Sequence, residues 1–248
     1  MKKIAIILFI AVFLYTSSAF GASLVGQWSF SSEDNVGGTR YSRDGSGLSN
    51  DGVVTGAQFH SDGIWGGYYS FDGNDYINIG NKTSLNTPRT TVSAWMRTTK
   101  NTTQQYAYSN MTASTGTALG LYSSRFIAHT NTNSWEWFLT NLYPSANEWY
   151  HVVMTHDGTT QKLYVNGQFD NSWNHTYNLP TTIESYIGRY YGGAYFTGDL
   201  DEIMVWDAPL TASEVTNLYN SYAVPEPSAY IFFLLFATFI FGFFRKKI

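Results

Sequence analysis

The chain of 248 residues contains no cysteine. That excludes a disulfide framework, a thiolate metal site and a cysteine nucleophile. Charged residues are sparse at 13%, and a helical bundle would need more Ala, Glu and Lys than are present. Positive charge is scarcer still in the body of the chain. Residues 22–228 hold nine of the 14 basic residues but all 18 acidic ones, a net charge of −9. An acidic body with so few basic residues excludes nucleic acid as a natural partner. No H-E-x-x-H occurs among the five histidines. Only His151 and His156 come near zinc-ligand spacing, and five apart on a predicted strand they face opposite ways.

What is plentiful is aromatic: 18% of the chain, with 19 Tyr, 17 Phe and 8 Trp. Such a composition over about 200 residues suits one all-β domain of two packed sheets. Residues 148–169 give the pattern most clearly. Tyr150, Val152 and Met154 alternate with Trp149, His151, Val153 and Thr155, a turn follows at Asp157-Gly158, and Leu163 and Val165 alternate with Lys162 and Tyr164. Period-two alternation predicts strands, and Asn166-Gly167 predicts a tight hairpin turn. Strands are also expected over 24–30, 58–64, 68–79 (turning at 71–76), 90–97 and 201–206, with several more in 106–142. The Gly-, Ser- and Asp-rich stretch 31–56 reads as an extended loop. Thr211 and Glu214 form a capping box, with Leu210 and Val215 placed as a hydrophobic staple, so a short helix is expected over 212–220. The 201–206 strand is expected to pair near 24–30.

The two ends are of another kind. Residues 1–21 carry Lys2 and Lys3, an apolar core over 4–15 and small residues up to Gly21, the order of a secretory signal peptide. At the other end, Pro225-Glu226-Pro227 precedes sixteen residues, 229–244, almost wholly apolar, and a basic tip Arg245-Lys246-Lys247. As a helix the apolar run spans about 24 Å, just short of a bilayer core. Basic residues kept in the cytoplasm place the body outside the inner membrane.

Three blocks carry a resemblance. The run WYHVVMTHDGTTQKLYVNG, the segment YSFDGNDYINI at 69–79, and IGRYYGGAYFTGDLDEIMVWDAPLTASEVTNL at 187–218 resemble laminin-G-like domains of concanavalin A-like fold. With LVGQWSF, the likeness spans most of 24–222. It implies an all-β jelly-roll sandwich of two antiparallel sheets with one short C-terminal helix, as domain 22–223 between a signal peptide (1–21) and tail (224–248). That tail resembles the PEP-CTERM sorting signal of Gram-negative bacteria. This implies recognition by an exosortase at Pro225, Glu226 and Pro227, membrane insertion through 229–244, and delivery to the cell surface or extracellular matrix.

Candidate site residues follow. Trp135, Trp137, Trp173, Tyr190, Tyr191 and Tyr195 are expected to offer rings for stacking on sugars. Asp44, Asn50 and Asp51 supply hard oxygen donors on a Gly-rich loop suited to a structural Ca²⁺, with Asp201 as a further ligand. The paired carboxylates that glycosidases of the resembled fold carry at spacing two and four are not found. The nearest are Asp199, Asp201 and Glu202, with Glu136 alone between two tryptophans. The expected role is therefore a non-catalytic surface or matrix module binding exopolysaccharide. The alternatives are a structural matrix protein acting through protein contacts, and a polysaccharide-degrading enzyme using Glu136 or Asp201.

Overall fold

The computed structural model describes residues 21–63, 65–99, 103–112, 115–132, 137–176 and 183–222. Residues 1–20 and 223–248, with the sorting motif and the apolar run 229–244, lie outside these, as do Trp135 and Glu136. Among the described residues no helix is long and apolar enough to cross a membrane.

Among the described residues seventeen strands form two antiparallel sheets. The first seven are β1 (Leu24–Trp28), β2 (Asp34–Val36), β3 (Thr39–Ser42), β4 (Gly52–Thr55), β5 (Gln58–Gly63), β6 (Gly66–Asp72) and β7 (Tyr76–Asn81). A 3-10 turn at Thr83–Leu85 leads to β8 (Thr90–Thr98), β9 (Gln105–Met111), β10 (Thr115–Tyr122), β11 (Arg125–Thr132) and β12 (Phe138–Leu139). The chain ends with β13 (Trp149–His156), β14 (Thr160–Val165), β15 (Gln168–Asn174), β16 (Glu184–Ile187), β17 (Thr197–Trp206) and helix α1 (Ala212–Ser221). Sheet A runs β15-β14-β13-β8-β17-β6-β5, with β1 also on β17; sheet B runs β12-β11-β10-β9-β16-β7-β4-β3-β2.

Alternation decides which side chains meet. Val152 and Met154 of β13, Val92, Ala94 and Met96 of β8, and Leu200, Ile203 and Val205 of β17 point inward. They meet Ile77, Tyr108, Leu119, Leu121, Phe126 and Ala128 of sheet B. Each such side chain taken fully from water contributes about 1.5–3 kcal/mol. The expected pairing of the ends is present, with Leu24 opposite Trp206 and Trp28 opposite Ile203.

The hairpin turn has the geometry its sequence predicts: Asn166 (φ 49°) and Gly167 (φ 74°) are both left-handed, as a type I′ turn requires. Its tip also seats α1. The Thr216 hydroxyl donates to the Gly167 carbonyl at 2.8 Å, and a β-carbon on Gly167 would come within 2.9 Å of Tyr219. The capping box is formed at both of its bonds, and Leu210 and Val215 are buried together against Val153, Tyr164 and Met204 on the outer face of sheet A. Replacing Thr211 by Ala should cost about 1 kcal/mol, read as a lower urea midpoint with unchanged m-value.

One expectation fails. The stretch 31–56 is not an extended loop, for it carries β2, β3 and β4 at the edge of sheet B. Polar side chains tie this edge in place: Arg43 pairs with Asp34 and Asp51, and Arg40 with Glu33. Edge strands held by ion pairs show no apolar alternation, which is the signal the sequence lacks there.

Candidate functional site: an aromatic face on sheet B

The two sheets differ in what covers their outer faces. On sheet A the rings of Trp65, Trp95, Tyr219 and Tyr222 pack on one another beneath and beside α1. Its cation Arg97 lies over Trp149 and Tyr68 and pairs with Asp199 at 2.7 Å. Arg97 is thus paired within the fold, while the Trp95 indole Nε1 is buried without a hydrogen-bond partner.

Sheet B carries a row of rings on its outer side, and no described helix packs on it. Along β10 only small residues, Ala118 and Gly120, separate Tyr106 of β9 from Ile127 of β11. Across this floor the rings follow in contact. Tyr122 stacks on Trp137 with centroids 4.1 Å apart, Trp137 meets His129 at 4.9 Å, His129 meets Tyr106 at 5.6 Å, and Tyr106 meets Tyr190 at 5.4 Å. Beyond Tyr190 the row continues through Arg189. Its guanidinium lies 4.7 Å from the Tyr76 and Tyr186 rings and 5.1 Å from Tyr195. It donates to the carbonyls of Tyr190 and Tyr191 and to the Tyr195 hydroxyl, at 3.0–3.1 Å. Tyr106, His129 and Tyr186 are buried, while Tyr122 is 36% and Tyr191 62% exposed. Burial raises the Tyr106 and Tyr186 phenols well above the usual tyrosine value, so both stay neutral.

The six expected glycan-binding residues fall in three places. Trp137, Tyr190, Tyr191 and Tyr195 belong to this face. Trp173 does not: it sits on edge strand β15 of sheet A, partly buried against the inner core and tilted on Phe138. Trp135 lies outside the described residues. Sequence reasoning passed over Tyr76, Tyr106, Tyr122, Tyr186, His129 and Arg189. Inward facing Ile77, Leu121 and Ile187 on the same strands are the parity signal that could have placed several of them.

The expected calcium ligands do not suit a cation. Both Asp44 carboxylate oxygens accept hydrogen bonds within the chain, from Gln27 N, Ser46 N, Ser46 Oγ and Asn50 N at 2.7–2.9 Å. Asp51 accepts from Asp44 N and from Arg43. Asn50 bonds to Val25 O and Ser84 Oγ, and its carbonyl accepts from the buried Trp28 indole. Asp201 joins none of these; it lies in sheet A in register with Trp95. Among the described residues no three His, Asp or Glu side chains gather as a cation cluster. The loop thus locks β1 through backbone N–H groups. Asp44→Ala should cost about 2–3 kcal/mol, measured by urea unfolding; a rise in the wild-type midpoint on adding Ca²⁺ would contradict this assignment.

Asp201 and Glu202 form a buried acid pair at a β-bulge of β17, with Glu202 in the left-handed region at φ 48°. Tyr222, at the end of α1, donates to Glu202 at 3.1 Å. Burial, with Glu202 alongside, raises the Asp201 carboxyl to about 8, and burial raises Glu202 to about 7. Next to them His151 bonds to the Ser93 hydroxyl at 2.7 Å and is held neutral by burial, its value lowered to about 3. His156 faces the opposite way, as expected, and bonds to the His175 carbonyl. The acid pair lies under packed rings and opens to no cleft.

Comparison with known proteins agrees with this architecture. Domain 4 of AbnA, an extracellular GH43 arabinanase from Geobacillus stearothermophilus solved with arabinotriose, superposes with a TM-score of 0.64 at 19% identity, over 80% of this chain and 98% of that one. The binding domain of Paraclostridial Mosquitocidal Protein 1 superposes at 0.64 and 20% identity, over 81% of this chain and 52% of that one. The receptor-binding domain of botulinum neurotoxin mosaic serotype C/D gives 0.61 at 15% identity, over 80% and 51%. The chain therefore spans about half the length of these toxin domains, and at such identities the likeness is one of fold. No curated protein sequence matches significantly. A family model described as the concanavalin A-like lectin/glucanases superfamily matches residues 71–216, more than half of the chain. This protein belongs to the concanavalin A-like lectin/glucanase superfamily.

Proposed function

We propose that this is an exported, non-catalytic glycan-binding module that works through the outer face of sheet B. The observation that carries the assignment is the row of contacting rings from Tyr122 to Tyr195, in which Tyr122 and Tyr191 are exposed and Trp137, Tyr190 and Tyr195 half-buried over the buried Tyr106 and His129. Ring faces stack on the apolar face of a sugar, and flanking amides, hydroxyls and guanidinium N–H groups meet its hydroxyls. The length of the row suits several sugar units of a polymer. The arabinotriose complex of the AbnA domain supports the assignment from outside, as a sandwich of the same fold in contact with a short glycan. A non-catalytic role fits the placing of the acid pair, since Asp201 and Glu202 are buried and Tyr222 occupies Glu202.

The chain ends complete the proposal. The signal-peptide pattern directs the chain to export, and Pro225-Glu226-Pro227 with its apolar run and basic tip directs it to an exosortase. The destination is then the cell surface or matrix, where exopolysaccharide is the partner at hand. The test is co-sedimentation of the full-length protein, kept in detergent for its apolar ends, with exopolysaccharide extracted from the producing cells. Binding is expected with and without EDTA, because the Asp44 loop is closed by the chain's own N–H groups. No binding in either condition would remove the glycan assignment for that polymer.

A further inference from the structure

Of the six arginines among the described residues three pair with carboxylates and three do not, the exposed Arg89 before β8 being one of the latter. Among the described residues Arg40 and Arg43 pair with carboxylates at the β2–β3 edge, and Arg97 pairs with Asp199 on sheet A. Arg189 and Arg125, the two on the outer face of sheet B, have no carboxylate within ion-pair distance among the described residues. Arg189 keeps its plane between three tyrosine rings, and three of its five N–H groups serve the carbonyls and hydroxyl named above. Glu184, on neighbouring β16, accepts from the Tyr186 hydroxyl. Arg125 lies at the other end of the row, opposite Tyr122 in the β10–β11 register. It lies under Tyr143, which is 67% exposed, and gives one N–H to the Thr140 carbonyl. Its Nε is buried without a hydrogen-bond partner, so the N–H groups left for a ligand are those of the terminal nitrogens.

Leaving two guanidinium groups without carboxylates is unexpected in a body of net charge −9. Acids outnumber bases two to one there, and they neutralise Arg40, Arg43 and Arg97. Among the described residues the cations of this face contact aromatic rings and neutral oxygens. Guanidinium presents a planar fork of donors that matches a carboxylate, and ring stacking fixes its orientation in advance. Three strand steps separate β11 from β16, so the two cations stand on the order of 15 Å apart across the sheet. That is the reach of a few sugar units.

We propose that the polymer bound by this face is carboxylated, a polyuronate, with Arg189 and Arg125 each taking a sugar carboxylate while the accessible rings of Tyr122, Trp137 and Tyr190 stack on the sugars. This rests on the glycan-binding function proposed above and adds the charge of the ligand. The overall negative charge then disfavours adventitious polyanions, so recognition depends on the two local cations rather than on long-range attraction.

The experiment compares full-length protein in detergent on three polyuronates (polygalacturonate, alginate and hyaluronate) with their methyl-esterified counterparts, which remove the charge and keep the sugar. At least one polyuronate should bind about tenfold or more tightly than its ester at low salt, with the gap narrowing as NaCl rises toward ~0.3 M. Arg189→Gln with Arg125→Gln should erase that gap, bringing acid and ester affinities together whatever loss is common to both forms. Near-ultraviolet dichroism and each single variant separate a loss of contact from a loss of fold. Equal affinity for acid and ester forms would overturn the charge inference and leave glycan binding standing, as would a preference that survives both substitutions. Binding to neither form of any polymer would overturn both.

Discussion

Stability is expected to fall by about 3 kcal/mol between about pH 6 and about pH 8.5. The cause is the acid pair on β17. Asp201 is 1% exposed, and its carboxyl is raised to about 8 by burial and by Glu202; Glu202 is raised by burial to about 7. A carboxyl whose value is higher folded than unfolded holds its proton in the native state after the unfolded chain has lost it. Between the unfolded value near 4 and the folded value the native state therefore binds more protons, and stability declines as pH rises. His151 acts in the opposite sense. With its value lowered to about 3, it costs stability below about pH 6.5, where the unfolded histidine is protonated, and contributes no slope above that. His156, also lowered by burial, adds to the acidic limb. Stability should thus be greatest in mildly acidic solution, and the alkaline limb belongs to the acids alone. The groups facing the pair are Trp95, His151 and Ser93 from β8 and β13, and Tyr222 from α1. Asp201→Asn should flatten the alkaline limb, raising the melting temperature at about pH 8.5 by several degrees while changing little at about pH 5. A wild-type melting temperature that is level from pH 6 to 8.5 would exclude this account of the pair.

The second large effect is on binding. Trp137→Ala removes the ring that stacks on Tyr122 and meets His129, parting Tyr122 from the rest of the row. Affinity for the bound polysaccharide should drop about tenfold or more, about 1.4 kcal/mol. Tyr122→Ala, at a more exposed ring, should lower affinity in the same direction with little loss of stability. Trp173→Ala is the contrasting case. That ring packs on Phe138 and the inner core, so its loss should cost about 3 kcal/mol of stability and leave affinity unchanged. Isothermal titration and urea unfolding of the three variants separate the two behaviours. Equal loss of affinity in all three would mean that affinity reports folding and not the face.

The fold was legible because its strongest signals are local. The 148–169 hairpin, the Asn166-Gly167 turn and the Thr211–Glu214 box each rest on a few neighbouring residues whose preferences agree with the final structure. The β2–β4 edge was not legible, since its strands are held by Arg43, Asp34 and Asp51 instead of by alternating apolar side chains. The site was legible only in part. Trp137, Tyr190 and Tyr195 stand out as aromatic in sequence, yet so does Trp173, and period two alone cannot say which side of a sheet faces water when both sides carry rings. Sheet membership decided it, and that depends on long-range order: β16 lies between β7 and β9, bringing Arg189 and Tyr190 to Tyr76 and Tyr106 from more than eighty residues away. The calcium expectation rested on an equally ambiguous signal. Asp, Asn and Gly are as well suited to capping backbone N–H groups as to holding a cation, and the Asp44 loop uses them for the first purpose.

The most direct test of the central claim is amide hydrogen exchange of the full-length protein with and without bound polysaccharide. Protection is expected in β9, β10 and β11 and in residues 137–139 and 189–195. Protection confined to β5, β6 or β13–β15 would place the ligand on sheet A and contradict the assignment of the aromatic face of sheet B.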